Sequence, residues 1–202
     1  MTSLPPWAAD PGSLTLTEAQ YDALPHRVRN LVEVIDGNVI LCPGGTPGHA
    51  DLTRTLAIRL DAARPAQPCT QVSTGADVHF TKRRRSDGTL SFRRPDISVS
   101  RCTDKDARLF ARDVLMVVEV VTPASGYTDT VDKLAEYAYE GIPLYLLAFL
   151  GGDPYLKMIQ EYRLDWPTRT YRLVHTHMDE LALKDPFPVR IPFGELGRPT
   201  RT

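Results

Sequence analysis

One glutamate sits where a sequence has least reason to keep it. Glu119 lies inside VLMVVEVV, residues 114–121, a run that is otherwise wholly apolar. An ionised carboxylate in a dry interior costs several kcal/mol unless a metal, a buried cation or a proton compensates it. A structural ion pair is the plain alternative to a functional site. A second carboxylate, Asp96, follows Pro95 in PDISVS at 95–100. Proline suits a strand entry or an edge, and an aspartate after it is, taken alone, a turn residue. The two carboxylates are 23 residues apart, on consecutive predicted strands with a loop between. Adjacent strands run roughly 4.8 Å apart, so carboxylates at facing positions can share one divalent ion. Hard oxygen ligands with no cysteine or close histidine select magnesium or manganese over zinc.

Other polar residues stand at suggestive spacings. Asp129 and Lys133 are four apart and share a helical face with Glu136 and Tyr137. A surface Asp–Lys pair is the simple account of that spacing, and packing is the simple account of Tyr137. Glu33 shares a strand face with Leu31 and Ile35, which is odd for a purely solvated residue. His49 opens a helix, where capping or solvent contact is the ordinary role. His175 and His177 alternate on an outer strand and read as surface residues. No Ser-His-Asp or Cys-His set is evident, and GGTPG lacks the lysine of a phosphate-binding loop.

The elements that must carry these residues form a mixed pattern. A short helix begins at Thr15 or Thr17 and stops by Pro25. Two apolar runs flank Asp36-Gly37, the signal of a tight hairpin, with strands at about 31–35 and 38–42. PGGTPG at 43–48 reads as a loop, and a helix at about 49–63 has Leu52, Leu56 and Leu60 on one stripe. Residues 69–80 read as a strand, KRRRSDG as an exposed turn, and 92–99 as the approach to a short strand. The 114–121 run has the pattern of a central strand covered on both faces. A helix over 127–140 ends at Gly141 and Pro143, and LYLLAFL at 144–150 is a second buried strand. Strands near 155–163 and 169–176 follow, with a Pro-rich close from 185. Helices and strands alternate only partly, which predicts an α/β (α+β) mixed central sheet flanked by helices, with an N-terminal hairpin and additional C-terminal strands.

The bulk numbers suit one domain. The chain has 202 residues, 42% hydrophobic and 24% charged, enough for a sizeable core without staples. The expected division is an irregular arm over 1–14, one domain over 15–197 and a tail over 198–202. Net charge is −1, yet residues 82–112 hold ten basic side chains against four acidic ones. That asymmetry fits either a polyanion-facing surface or a solvated basic loop. Three cysteines, Cys42, Cys69 and Cys102, with no CxxC, predict neither a zinc site nor a disulfide framework. The N-terminus lacks the features of a signal peptide and no apolar run approaches the ~20 residues of a membrane span. The expectation is a cytoplasmic protein with reduced thiols and no membrane partner.

Three segments together carry a family resemblance: PDISVS at 95–100, VVEVVTPAS at 117–125 and DTVDKLAEYAYEGIPLYLL at 129–147. With VEVIDGNVI at 32–40 and His49, the pattern resembles the Uma-two family of the PD-(D/E)XK nuclease superfamily, over about residues 15–197. The resemblance implies a restriction-endonuclease-like fold and a magnesium- or manganese-dependent endonuclease acting on DNA. Asp96 and Glu119 would hold the metal, with the Val120 carbonyl as a further ligand. Glu33 would be an additional catalytic acidic residue, and His49, Asp129 and Tyr137 would lie at the periphery. The superfamily's lysine two residues beyond the glutamate is replaced here by Val121. The resemblance offers Lys133 instead, which would orient the attacking water or offset charge on the phosphate. The basic segment, Lys82, Arg83, Arg84, Arg85, Arg93 and Arg94, would hold the DNA backbone. The resemblance also implies a homodimer, since two sites related by a two-fold axis serve double-strand cleavage. Two other functions are open: a non-catalytic nucleic-acid-binding or scaffold protein that keeps the fold, favoured by Val121, and a hydrolase of another phosphate ester.

Overall fold

A computed structural model describes residues 15–42, 45–82, 89–104, 107–122, 127–152 and 155–197, the side chains of 127–130 excepted. The two expected tails and Arg83, Arg84 and Arg85 lie outside the described residues.

Two short helices open the chain, α1 (Glu18–Asp22) and α2 (His26–Arg29). Thr17 caps α1 in a reciprocal box with Gln20. The hairpin β1 (Val32–Ile35) and β2 (Asn38–Leu41) turns at Asp36 and Gly37, both at positive φ (51° and 80°). That is the geometry for which Asp-Gly is suited. Helix α3 (Pro47–Ala63) starts two residues earlier than the sequence suggests, because Thr46 caps it through the His49 amide and Pro47 takes the first turn.

The expected strand over 69–80 is two strands, β3 (Thr70–Thr74) and β4 (Val78–His79), broken at Gly75, whose φ is 59°. Then come β5 (Phe92–Arg93), β6 (Ile97–Arg101), β7 (Leu109–Phe110) and β8 (Val114–Val121). Helix α4 (Tyr127–Glu140) leads to β9 (Leu144–Leu150), followed by β10 (Leu156–Asp165) and β11 (Thr170–His177). A further hairpin, β12 (Glu180–Leu183) and β13 (Val189–Pro192), runs into the Pro-rich close.

The strands form a six-stranded sheet in the order β11-β10-β9-β8-β6-β3 and a five-stranded sheet in the order β2-β1-β5-β4-β7. In the larger sheet only β8 and β9 are parallel, joined through α4. The apolar run at 114–121 has the expected cause: both faces of β8 are covered. Met116, Val118 and Val120 pack toward the leucine stripe of α3 and the β12–β13 hairpin. Val117 and Val121 pack on the other side with Tyr137 of α4 and Tyr145 of β9. Glu119 alternates onto this second face.

One expectation about the thiols is corrected. Cys69 and Cys102 form a disulfide, with Cα atoms 5.5 Å apart. Strands β3 and β6 pair antiparallel with Thr70 opposite Arg101, so the residues just beyond that pair face each other. A sequence separation of 33 hides this neighbourhood from the sequence. Cys42 is free. No helix among the described residues is long and apolar enough to cross a membrane.

Candidate active site

Strand β6 pairs with β8 antiparallel, Ile97 opposite Val118, so the register carried one step further sets Asp96 opposite Glu119. The β6 ladder ends there, and Asp96 takes its place: its Oδ2 accepts the Val120 amide at 2.7 Å. In a strand the N–H and C=O of one residue point to the same side. The Val120 carbonyl therefore opens on the edge that Asp96 occupies. Asp96 Oδ2 also meets His49 Nε2 at 3.0 Å, while its Oδ1 takes no hydrogen bond from a described residue. His49 stays protonated above its ordinary range, chiefly through that hydrogen bond to Asp96, with burial opposing. A Cβ on Gly45 would come within 2.6 Å of the His49 ring, so only glycine lets the chain pass so close.

Glu119 is 7% exposed. Its Oε2 accepts from Lys133 Nζ at 3.2 Å and its Oε1 from the Tyr137 hydroxyl at 3.0 Å. Burial pushes its carboxyl up to about 8; Lys133 pulls it down, and Asp96 and Glu33 push it further up. Burial likewise holds the Tyr137 phenol well above its ordinary value, so it donates as a neutral hydroxyl.

Helix α4 shows why these groups converge. Its inward face is Glu136, Tyr137 and Glu140, all buried, with Lys133 one turn earlier, whereas Val131 and Tyr139 on the other side are exposed. That inverted pattern is legible in the sequence as polar residues at 133, 136 and 140. The reason for Glu136 is Arg93. This arginine is 2% exposed and donates to both oxygens of Glu136, at 2.7 and 3.1 Å, and to Glu33 at 2.7 Å. Burial alone would weaken its charge, but Glu136 and then Glu33 hold it well above the ordinary arginine value. The ion-pair cluster ties β1, β5 and α4 into one rigid back wall.

Three of the residues expected to hold DNA are engaged within the protein. Arg93 is buried, its guanidinium between two glutamates. Arg94 is engaged too: it bonds Asp77 at 2.7 Å and the carbonyls of Arg29 and Asn30. Lys82 donates to the carbonyls of Tyr139 and Glu140, capping the end of α4. Glu33 stands beside the pair rather than open to a ligand: one oxygen holds Arg93, the other accepts the Arg94 amide at 2.8 Å. Asp129 lies on α4, its side chain outside the described residues. His177, expected at the surface, is buried and bonds Glu161 at 3.1 Å, away from this site.

A divalent ion fits this donor set. Among the described residues the site gathers four carboxyl groups, Asp96, Glu119, Glu33 and Glu136, with the cations Arg93 and Lys133 and the His49 ring held by Asp96. A carboxyl pushed up to about 8 by burial and by its acidic neighbours is one that gains from an added positive charge. No three His, Cys, Asp or Glu side chains among the described residues form a ready cluster. The expected donors, two carboxylates and a main-chain carbonyl, would all be hard oxygens.

The fold is a restriction-endonuclease-like one of mixed α/β architecture. The family model Uma2, described as "Putative restriction endonuclease", matches residues 18–193. The chain belongs to that family. The fold is similar to the crystal structure of a "putative nuclease belonging to DUF820" from Anabaena variabilis ATCC 29413. The TM-score is 0.63 at 16% identity, covering 90% of this chain and 97% of that one. A comparison with curated proteins finds no match.

Proposed function

We propose that the protein is a divalent-metal-dependent endonuclease that hydrolyses DNA phosphodiester bonds. The observation that carries this reading is the convergence of Asp96, Glu119 and Lys133 at one end of β8. Magnesium or manganese would be held by Asp96, through its unengaged Oδ1, by Glu119 and by the Val120 carbonyl. The ion supplies Lewis-acid charge against the phosphate and acidifies adjacent water.

The chain's own groups do the rest. Lys133 carries the positive charge that the Val121 position lacks, and its ammonium orients the attacking water or meets charge developing on the phosphate oxygens. Tyr137 fixes one Glu119 oxygen, so the carboxylate keeps a single rotamer. His49 and the Val120 amide fix Asp96 in the same way. Arg93 and Glu136 hold α4 in the register that aims Lys133 at the site.

The test is a cleavage assay with magnesium or manganese on plasmid and single-stranded DNA, beside Asp96→Ala. Cleavage that needs the metal and vanishes in the variant supports the reading; a folded parent that cleaves neither substrate sinks it. A second reading is a non-catalytic nucleic-acid-binding or scaffold protein. It is favoured by Val121 and by the engagement of both Glu119 oxygens, and it requires DNA binding without cleavage. A homodimer belongs to the first proposal, and light scattering at micromolar concentration decides it. A cytoplasmic setting was expected as well. The Cys69–Cys102 bond weighs against it, since disulfides persist best outside reducing compartments; cell fractionation settles the point.

A further inference from the structure

A cleft of about 390 Å3 runs between α2 and the strands β4 and β7. It adjoins the site: Gly75 and Arg94 line it, and the Gly75 amide donates to the Asp96 carbonyl at 3.3 Å. Its walls carry three arginines, two of them neutralised. Arg94 is paired with Asp77, and Arg108 with Asp22 and Glu18. Arg29 differs. Its guanidinium has no acidic partner among the described residues, and its Nε is buried without a hydrogen bond. A buried donor on a permanent cation is costly to leave unmade, and an anion with several oxygens relieves it.

The placement of Arg29 is also fixed. Arg94 donates to the carbonyls of Arg29 and Asn30, fastening the end of α2 to the strand entry that carries Asp96. His26, on the same helix, faces the same cleft and lies within 3.3 Å of Asn30. A guanidinium carried on a fixed stretch of backbone beside the site suits the planar recognition of phosphate.

We propose that this cleft seats one backbone phosphate of the nucleic acid whose ester is cut at Asp96 and Glu119, with Arg29 as its anion contact. The inference rests on the nuclease reading and relocates the substrate contact. The phosphate is met by α2, not by Arg93 and Arg94, whose guanidiniums are spent inside the protein.

The test is binding of a fluorescent duplex and a fluorescent single strand across a salt series, without metal and with calcium. The proteins are the parent, Arg29→Ala, Arg29→Gln and Arg172→Ala. Arg172 lies on β11, exposed and far along the sheet, and removes the same charge elsewhere. The expected result is that both Arg29 variants bind roughly tenfold more weakly than the parent at about 0.1 M salt, with a salt slope lower by about 1. Arg172→Ala should stay within about twofold of the parent, the ordinary effect of a distant surface charge. Melting curves confirm that each variant folds, and Arg29→Gln serves if the alanine form does not. Arg29 variants that bind as the parent does, or lose no more than Arg172→Ala, overturn the inference while leaving the nuclease reading intact. A folded parent that binds neither probe at about 50 mM salt overturns both.

Discussion

Lys133 Nζ stands 3.2 Å from Glu119 Oε2, reaching across from α4 to the strand whose next inward residue is Val121. A positive charge thus reaches Glu119 from a neighbouring helix rather than from β8 itself. Lys133→Ala should lower the cleavage rate ~10²–10³-fold, the usual loss when a transition-state contact is removed. DNA binding should change little, because such a group acts on the water or the developing charge rather than on docking. Single-turnover cleavage beside a binding isotherm checks both. Cleavage at the parent rate would reduce Lys133 to a structural partner of Glu119.

Metal binding should be visible without turnover. If Asp96 and Glu119 hold a divalent ion in the folded state only, saturating magnesium or manganese raises Tm. At about 100 times Kd the gain is about 2.7 kcal/mol. Asp96→Asn and Glu119→Gln should each lose most of that shift. A parent whose Tm ignores the metal, or a Glu119→Gln protein that keeps the whole shift, places any bound ion elsewhere.

Arg93 is the residue whose loss should harm folding most directly. Arg93→Ala leaves Glu33 and Glu136 buried and uncompensated, and breaking a buried pair from one side costs about 3–5 kcal/mol. Urea denaturation should show a lower midpoint at an unchanged slope. Arg172→Ala, which removes an exposed guanidinium from the half-buried Asp165, should change stability by no more than about 1 kcal/mol. Equal effects from the two variants would show that the buried cluster is energetically idle.

Alkaline pH should reveal the buried phenols. Burial, with Asp77 adding to it, pushes Tyr21 up to about 12, and burial holds Tyr171 well above its ordinary value. The folded state therefore keeps protons that the unfolded chain releases near pH 10. Their contribution to stability is intact below about pH 10 and is lost as pH rises through about 12. Tyrosinate absorbance at about pH 11 should fall short of the eight tyrosines of the chain until the protein unfolds, then rise together with loss of helix signal. A full tyrosinate signal from the folded protein at that pH would contradict the burial.

The disulfide should stabilise without taking part in chemistry. It closes a separation of 33 residues between β3 and β6, and Asp96 lies at the other end of β6. Replacing Cys69 and Cys102 by serine should cost about 2–4 kcal/mol by loop-entropy reasoning. Cleavage measured well below the lowered Tm should persist. Loss of cleavage in a folded double variant would tie the bond to the site.

How much of this was legible in the sequence differs by element. The Asp36-Gly37 hairpin, the α3 leucine stripe and the doubly covered β8 strand were readable, because each rests on local geometry or on the period of apolar residues. The break at Gly75 and the β12–β13 hairpin were not. A two-residue strand offers no period to detect, and Pro-rich segments pair only when a core face needs covering, as Leu181 and Ile191 cover β8 here.

The sequence by itself determined which residues could form the site. An isolated glutamate in an apolar run, an aspartate at a strand entry and a lysine on a following helix are statements about local pattern and the cost of buried charge. Only the tertiary structure decided what those charges do to one another. Arg93, read from sequence as a cation for DNA, is consumed by Glu33 and Glu136; Cys69 finds Cys102; and Arg29, unremarkable in HRVRN, keeps a buried Nε with no hydrogen bond to a described residue. The physical reason is that pairing of charges and thiols depends on distance in space. Strand register and helix docking set that distance across separations of 33 to 60 residues, where no local pattern records it.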